Sequence, residues 1–251
     1  MGKKTEETGE TNRVKVLYED ENYAILNKPA GLIVHSDGKT DEPSLSARVL
    51  KKYPETKGVG EPIRLSDGRI IERPGLVHRL DKETSGVIVI ARNARAYGYL
   101  KKQFKQRKVR KTYLSYVYGK IKGEEGIIDN PIGRSRKFGL WSASGKLRGK
   151  VREALTEYKV LIRSPKATKI EVYPRTGRTH QIRVHLKHKS HPVICDKIYA
   201  PGRECLFGLK RLALHAKTIE FESFDGRKIK VSADEPPDFK EAEKELKSVA
   251  E

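Results

Sequence analysis

The sequence has little of what a secreted, membrane-embedded or metal-dependent chain needs. Its 251 residues include only two cysteines, Cys195 and Cys205. They make neither a zinc pattern nor a disulfide framework, which points to a reducing compartment. The opening "MGKKTEETGETNR" has no apolar core and so is no signal peptide. Glu6 stands where myristoylation needs Ser or Thr. No apolar run approaches membrane-spanning length. A cytoplasmic location and no membrane partner are therefore expected. Cofactor motifs are missing too. "GLWSASGK" has five residues between its glycines where a phosphate loop has four, and Leu147 replaces the Ser or Thr that would hold magnesium. There is no GxGxxG. His180, His185, His188 and His191 have no Cys or ordered Glu nearby, and Lys187 and Lys189 disfavour a cation among them. No metal and no cofactor are expected, and the histidines read as phosphate contacts or helix caps.

Acidic residues are also in deficit. Lys and Arg number 53 against 33 Asp and Glu, a net charge of +20. Such an excess attracts polyanions, of which nucleic acid is the commonest. The competing readings are a ribosome-associated or heat-adapted lysine-rich surface. An anionic membrane fits less well, because no basic amphipathic helix stands out. Lys101–Lys111 holds seven basic residues and no acid, and so does Pro131–Arg152, with Phe138 and Trp141 among them. Cations beside aromatics suit a flexible RNA-clamping loop. The alternative is a solvated loop whose aromatics cover the core.

Periodicity gives the frame. Residues 1–13 read as a polar, disordered tail. Val14–Tyr18 and Tyr23–Asn27 read as a hairpin turning at Asp20–Asn22, with another turn at Lys28–Gly31. Leu45, Val49 and Tyr53 make a short helix stopped by Pro54. A small hairpin is expected around "LSDGRII". Val87–Ala91 is apolar throughout, as a fully buried strand would be. Asn93 caps a helix carrying Ala96, Leu100 and Phe104. "KTYLSYVYGKI" alternates, with Tyr113 opposite Leu114, Tyr116 and Tyr118. "ALTEYKVLIR", "TKIEVYP", "RLALHAKTIEF" and "RKIKVSA" are further strands, the last two joined at Asp225-Gly226. "THQIRVHLKHKSH" is a short helix. The tail from Pro236 reads as a polar, mostly exposed helix. Strands outnumber helices and follow each other directly, so the fold class is α+β with a largely antiparallel sheet.

"HRLDKETSG" sets Asp81 among ionisable residues between a Pro-Gly turn and the buried run. An isolated Asp there closes an Asx-turn or caps a turn of helix. Arg79 lies two residues away, however, and a second polar block, "RTGRTHQIRVH", puts Arg183 at the edge of a helix's apolar face. A carboxylate at a cleft with an arginine to keep it ionised is how a carboxylate nucleophile is arranged.

"RPGLVHRLDKETSGVIVIARN" resembles the signature of the RluA-type pseudouridine synthase family. "KTYLSYVYGKI" and "RTGRTHQIRVHLKHKSHPVICDKIY" resemble its second and third motifs in the same order. "YAILNKPAGLIVH" and "RLALHAKTIEF" extend the likeness over about residues 14–240. The resemblance implies a curved mixed sheet, largely antiparallel, with flanking helices and a central catalytic cleft. It also implies cofactor-free conversion of uridine in RNA to pseudouridine. It places the catalytic aspartate on Asp81, the tyrosine that stacks on the base on Tyr113, and the arginine paired with the aspartate on Arg183. Arg79 matches the arginine that fills the stack after the base leaves. His78, Lys101, Lys108, Arg110, Lys111, Arg136, Arg178 and His180 join Arg79 as expected RNA contacts. Thirteen residues before Val14 are too few for the family's small N-terminal RNA-binding domain. One catalytic domain, 14–240, is expected between polar tails 1–13 and 241–251, acting as a monomer on a ribosomal RNA or tRNA stem-loop. Cys195-Asp196 departs from a usual Gly-Asp, and Gly60–Arg73 is longer than usual. These bear on target choice. The rival readings are a catalytically silent RNA-binding or ribosome-assembly protein on the same scaffold, and a base-cleaving glycosylase.

Overall fold

The apolar run after Asp81 is buried at every position from Ser85 to Ala91 in the computed structural model. The structure describes residues 13–36, 42–65, 67–136 and 140–249. The expected N-terminal tail, apart from Arg13, lies outside them, as do Phe138 and the last two residues of the chain. The chain divides into two compact units, Met1–Leu100 and Lys101–Glu251.

In the first unit, β1 (Lys15–Glu19) and β2 (Tyr23–Lys28) form the expected antiparallel hairpin. Asp20 makes the turn: its Oδ1 accepts from the backbone N–H groups of Asn22 and Tyr23 at 2.8 and 2.7 Å. α1 (Leu45–Lys52) follows, capped by Ser44, whose Oγ accepts from Ala47 N. Two-residue strands β3 (Ile63–Arg64) and β4 (Ile70–Ile71) form the hairpin expected near "LSDGRII". β5 (Ser85–Ala91) pairs with β2 from Tyr23↔Ala91 to Lys28↔Gly86. Gly75 lets the preceding turn press on β5. It sits at φ +64°, its carbonyl accepts from Ala91 N, and a Cβ there would lie 2.0 Å from Ala91 O. Asn93 caps α2 (Ala94–Lys105), its Oδ1 accepting from Ala96 N at 2.9 Å.

The second unit is built on an antiparallel sheet. β6 (Arg110–Tyr118) lies between β12 (Ala167–Pro174) and β13 (Leu214–Glu222). β11 (Leu155–Arg163) and β7 (Glu125–Asp129) extend it beyond β12, and β14 (Lys228–Ser232) pairs with β13. The α+β architecture with antiparallel strands is therefore present in both units. α3 (Gln181–His188) and α4 (Pro237–Ser248) flank the sheet.

The structure departs from expectation in three places. Pro131–Arg152 is not simply a flexible loop: β8 (Ile132–Ser135), β9 (Trp141–Ser142) and β10 (Leu147–Arg152) pair as a small separate sheet. Its buried side is short, with Ile132 and Ala143 packing on Val184 and Tyr199, so periodicity hardly shows. The C-terminal helix is more than a polar tail. Phe239, Ala242 and Leu246 are fully buried in the sheet's core, and Tyr116 donates a hydrogen bond to Phe239 O at 2.7 Å. Lys169, itself buried, holds the helix through Glu243 and the approach to it through Glu235.

The third departure concerns Cys195 and Cys205, which form a disulfide with Cα atoms 5.0 Å apart. The Tyr118 hydroxyl grips both ends of the loop, donating to Glu204 O at 2.7 Å and accepting from Cys195 N at 3.4 Å. Two cysteines without a framework pattern gave no sign of this pairing. For a separation of ten residues, reduction is expected to lower the unfolding free energy by about 2.5 kcal/mol. Urea unfolding with and without reductant measures it. Thiol titration in denaturant before reduction should find none, and two reactive thiols would overturn the assignment.

Candidate active site

In the first unit the site starts from a lysine out of contact with water. Lys28 is 0% exposed. A buried ammonium is tolerated only where acceptors replace its hydration. Here three carbonyls do so: Nζ donates to Pro29 O at 2.9 Å, Leu32 O at 2.8 Å and Lys82 O at 3.0 Å. The carbonyl of Lys82 also accepts from Gly31 N at 2.9 Å. Two donors from the "NKPAGL" turn thus fix the residue that follows Asp81. Asp81 is half-buried and opens a β-turn, its carbonyl accepting from Thr84 N at 3.1 Å. Sequence reading took Lys28–Gly31 as a turn and missed the lysine's role.

The neighbours of Asp81 divide between inward and outward positions. His78 faces inward: Nε2 accepts from Val89 N at 3.1 Å, which leaves the proton on Nδ1. Arg79 is exposed. Arg73 donates from Nε to Nε2 of His35 at 3.1 Å. Burial, then the charges of Arg73 and Arg79, push His35 down to about 3, so its ring stays neutral.

In the second unit Tyr113 stands on β6 opposite Val172 and Ala216, with Leu114 and Tyr116 buried on the other face as expected. Tyr113 itself is half-buried. Lys111 precedes it on the same face. It is half-buried: burial pushes it down to about 8, and Nζ donates to Thr176 O at 3.5 Å.

Arg183 projects from α3 into a bidentate pair with Asp196, Nε to Oδ2 and Nη2 to Oδ1, both 2.7 Å. Both side chains are almost fully buried. Asp196 Oδ1 also accepts from Ile198 N and Tyr199 N at 3.0 Å, so one carboxylate shapes the turn and aims the guanidinium. The Tyr199 ring carries that guanidinium at 5.1 Å, and its hydroxyl bonds His180 Nδ1 at 2.9 Å. Gln181 secures the loop before α3: Oε1 accepts from Thr176 Oγ1 and Arg178 N, and Nε2 donates to Leu155 O and Thr156 Oγ1. Asp196 and Gln181 were missed. The signal for Asp196 was its place in "CDKIY", where only the cysteine drew notice.

The remaining expected contacts fall in two groups. Lys101, Lys108, Arg110 and Arg136 are exposed. The Arg110–Glu220 pair at 3.7 Å, with the arginine side chain 75% exposed, constrains little. Arg178 is half-buried and donates from Nε to Glu153 O. His185 corrects the reading of the histidines as phosphate contacts or caps. It is fully buried, tied to Thr156 Oγ1 and Asn130 O, and burial lowers its pKa, so it is a neutral part of the core. Among the described residues no three His, Cys, Asp or Glu side chains group as metal ligands.

A family model described as RNA pseudouridylate synthase matches residues 22–188. An uncharacterized RNA pseudouridine synthase of Aquifex aeolicus is 42% identical over 191 residues, 74% of this chain and 56% of that protein. The ribosomal large subunit pseudouridine synthase D of Xanthomonas campestris pv. campestris is 36% identical, over 90% of this chain and 67% of its own length. The chain thus spans little more than half of the Aquifex relative. The solved human RNA pseudouridylate synthase domain containing 1 superposes with a TM-score of 0.71 at 25% identity, covering 92% of this chain and 86% of that one.

The geometry around Lys28 makes a specific prediction. Lys28→Met keeps the length but strips a donor from three carbonyls, and about 2–4 kcal/mol of stability should be lost. Denaturant unfolding measures this, and amide exchange at Thr84 should accelerate more than at Val89. An unchanged unfolding midpoint would show that the ammonium does not hold the turn.

Proposed function

We propose, for a chain that belongs to the RNA pseudouridylate synthase family, that it isomerises uridine to pseudouridine within a structured RNA. The observation that carries the reading is the turn at Asp81, fixed from beneath by the buried ammonium of Lys28 and by Gly31 N–H. A reacting carboxylate must be held in place before substrate arrives, because positional freedom lost at that moment would raise the barrier.

In the reaction the N1–C1′ glycosidic bond breaks and a C5–C1′ bond forms. The proton on C5 leaves and N1 ends protonated, so composition is unchanged. Asp81 supplies the carboxylate, which can attack the sugar carbon or the base, or assist loss of a proton from the sugar. A stacked uridine must first be flipped out and its gap filled. Arg79, exposed beside Asp81 in sequence, has the planar cation for that gap. Tyr113 offers a flat face to the extruded ring, and Arg183 supplies a cation whose direction Asp196 sets. The exposed Lys101, Lys108, Arg110 and Arg136 serve as phosphate contacts. The target lies in ribosomal RNA or tRNA. The name of the Xanthomonas relative favours the large-subunit ribosomal RNA.

Asp81→Asn keeps the shape of the side chain and removes the nucleophilic charge. Single-turnover assays on folded protein should find pseudouridine formation abolished, with RNA affinity held within a few-fold or improved. Near-normal rates in this variant would return the aspartate to the role of a turn-closing residue.

A further inference from the structure

The β8–β10 sheet is the part of the second unit that the proposed chemistry leaves unused. Between it, α3 and the turn at Ile198–Pro201 lies a cavity of about 900 Å³. The apolar part of its lining includes Trp141, Tyr199 and Ile198. The rim carries Arg136, Lys146 and Lys187, and no Asp or Glu is among the described residues that line it. Neither Tyr113 nor Arg183 lines it. Trp141 is half-buried and braced from one side, with the Arg134 guanidinium 4.6 Å from its ring centroid. Leu140 and Ile198, also in the lining, are both 40% exposed.

Each feature narrows the occupant. An apolar peptide would cover the apolar lining but would strip water from three cations without compensating them. A bare anion would satisfy the rim and leave the apolar lining wet. A nucleotide meets both demands, with a base for the aromatic and apolar side chains and a phosphate for the cations. We propose that this cavity binds one unpaired nucleotide of the RNA substrate, distinct from the uridine that reacts. The base lies against Trp141 and Ile198, and its phosphate meets Lys146 and Lys187. This rests on the reading of RNA as substrate and adds a determinant of target choice. Tyr199 connects the two functions, since it lines the cavity and also carries the Arg183 guanidinium.

The chain contains a single tryptophan, so its fluorescence reports on this cavity. The full chain would be titrated at low salt with a short adenosine oligoribonucleotide, which holds no uridine to react. Separate titrations would use an otherwise identical abasic oligomer and inorganic polyphosphate. The proposal expects saturable quenching by the adenosine oligomer alone. Charge reversal of two exposed lysines, Lys146→Glu with Lys187→Glu, should weaken that response roughly tenfold or more. Equal quenching by the abasic oligomer or polyphosphate would reduce the site to a general anion contact and overturn the proposal. So would RNA binding, seen by anisotropy, that leaves Trp141 silent. Pseudouridine formation by the same preparation is scored separately. Quenching without isomerisation keeps the cavity and discards the enzyme, and isomerisation with a silent tryptophan does the reverse.

Discussion

An ammonium group removed from water is costly by several kcal/mol unless its surroundings replace the lost hydration. Lys28 meets that condition with three carbonyl oxygens, and the requirement disciplines everything near it in the first unit. Pro29 in the "PAG" turn, Leu32 just after it and Lys82, the residue after Asp81, must all present oxygen to one point. The turn at Asp81 thus inherits its position from an electrostatic demand at the end of a strand that is buried along nearly its whole length. The β2–β5 pairing supplies the rigid base, and Gly75 allows the segment leading into "HRLD" to lie against Ala91.

The second unit solves a similar problem with a charge pair. Arg183 and Asp196 are both buried, and such a pair contributes little net stability once desolvation is counted. What it provides is direction: a fork of two short hydrogen bonds leaves the guanidinium one orientation. The turn carrying Asp196 lies in the loop closed by the Cys195–Cys205 disulfide, which Tyr118 grips at both ends. A loop with this many ties holds one shape, and Tyr199 passes that shape on to both Arg183 and His180.

Much of this frame was legible in the sequence, for identifiable reasons. The unbroken apolar run before Asn93 reads as a buried strand and the asparagine as a cap for the helix that follows, and both are so placed. Alternation along "KTYLSYVYG" put Tyr113 away from Leu114 and Tyr116, because a strand's period leaves no other choice. Other features depend on contacts distant in sequence. A lysine in a Pro-Gly turn reads as solvated, and nothing local shows that its ammonium points inward. His185 looked like one of a basic set, yet Thr156 and Asn130, far upstream, make it a core residue. Two cysteines ten apart carry no framework pattern, so their bond was invisible until Tyr118 and the turn at Asp196 brought them together. The β8–β10 segment reads as a clamp loop because cations beside aromatics dominate it, and its two- to six-residue strands bury too few side chains to show a period.

The central claim is that Asp81 serves an isomerisation and not a cleavage. The direct test is to treat total RNA from cells lacking the gene with the purified full chain and to analyse the digest by mass spectrometry and by site mapping. The account predicts new pseudouridine at defined positions, with each modified fragment unchanged in mass and no uracil released. Free uracil with abasic sites, or tight RNA binding with no pseudouridine formed, would contradict it.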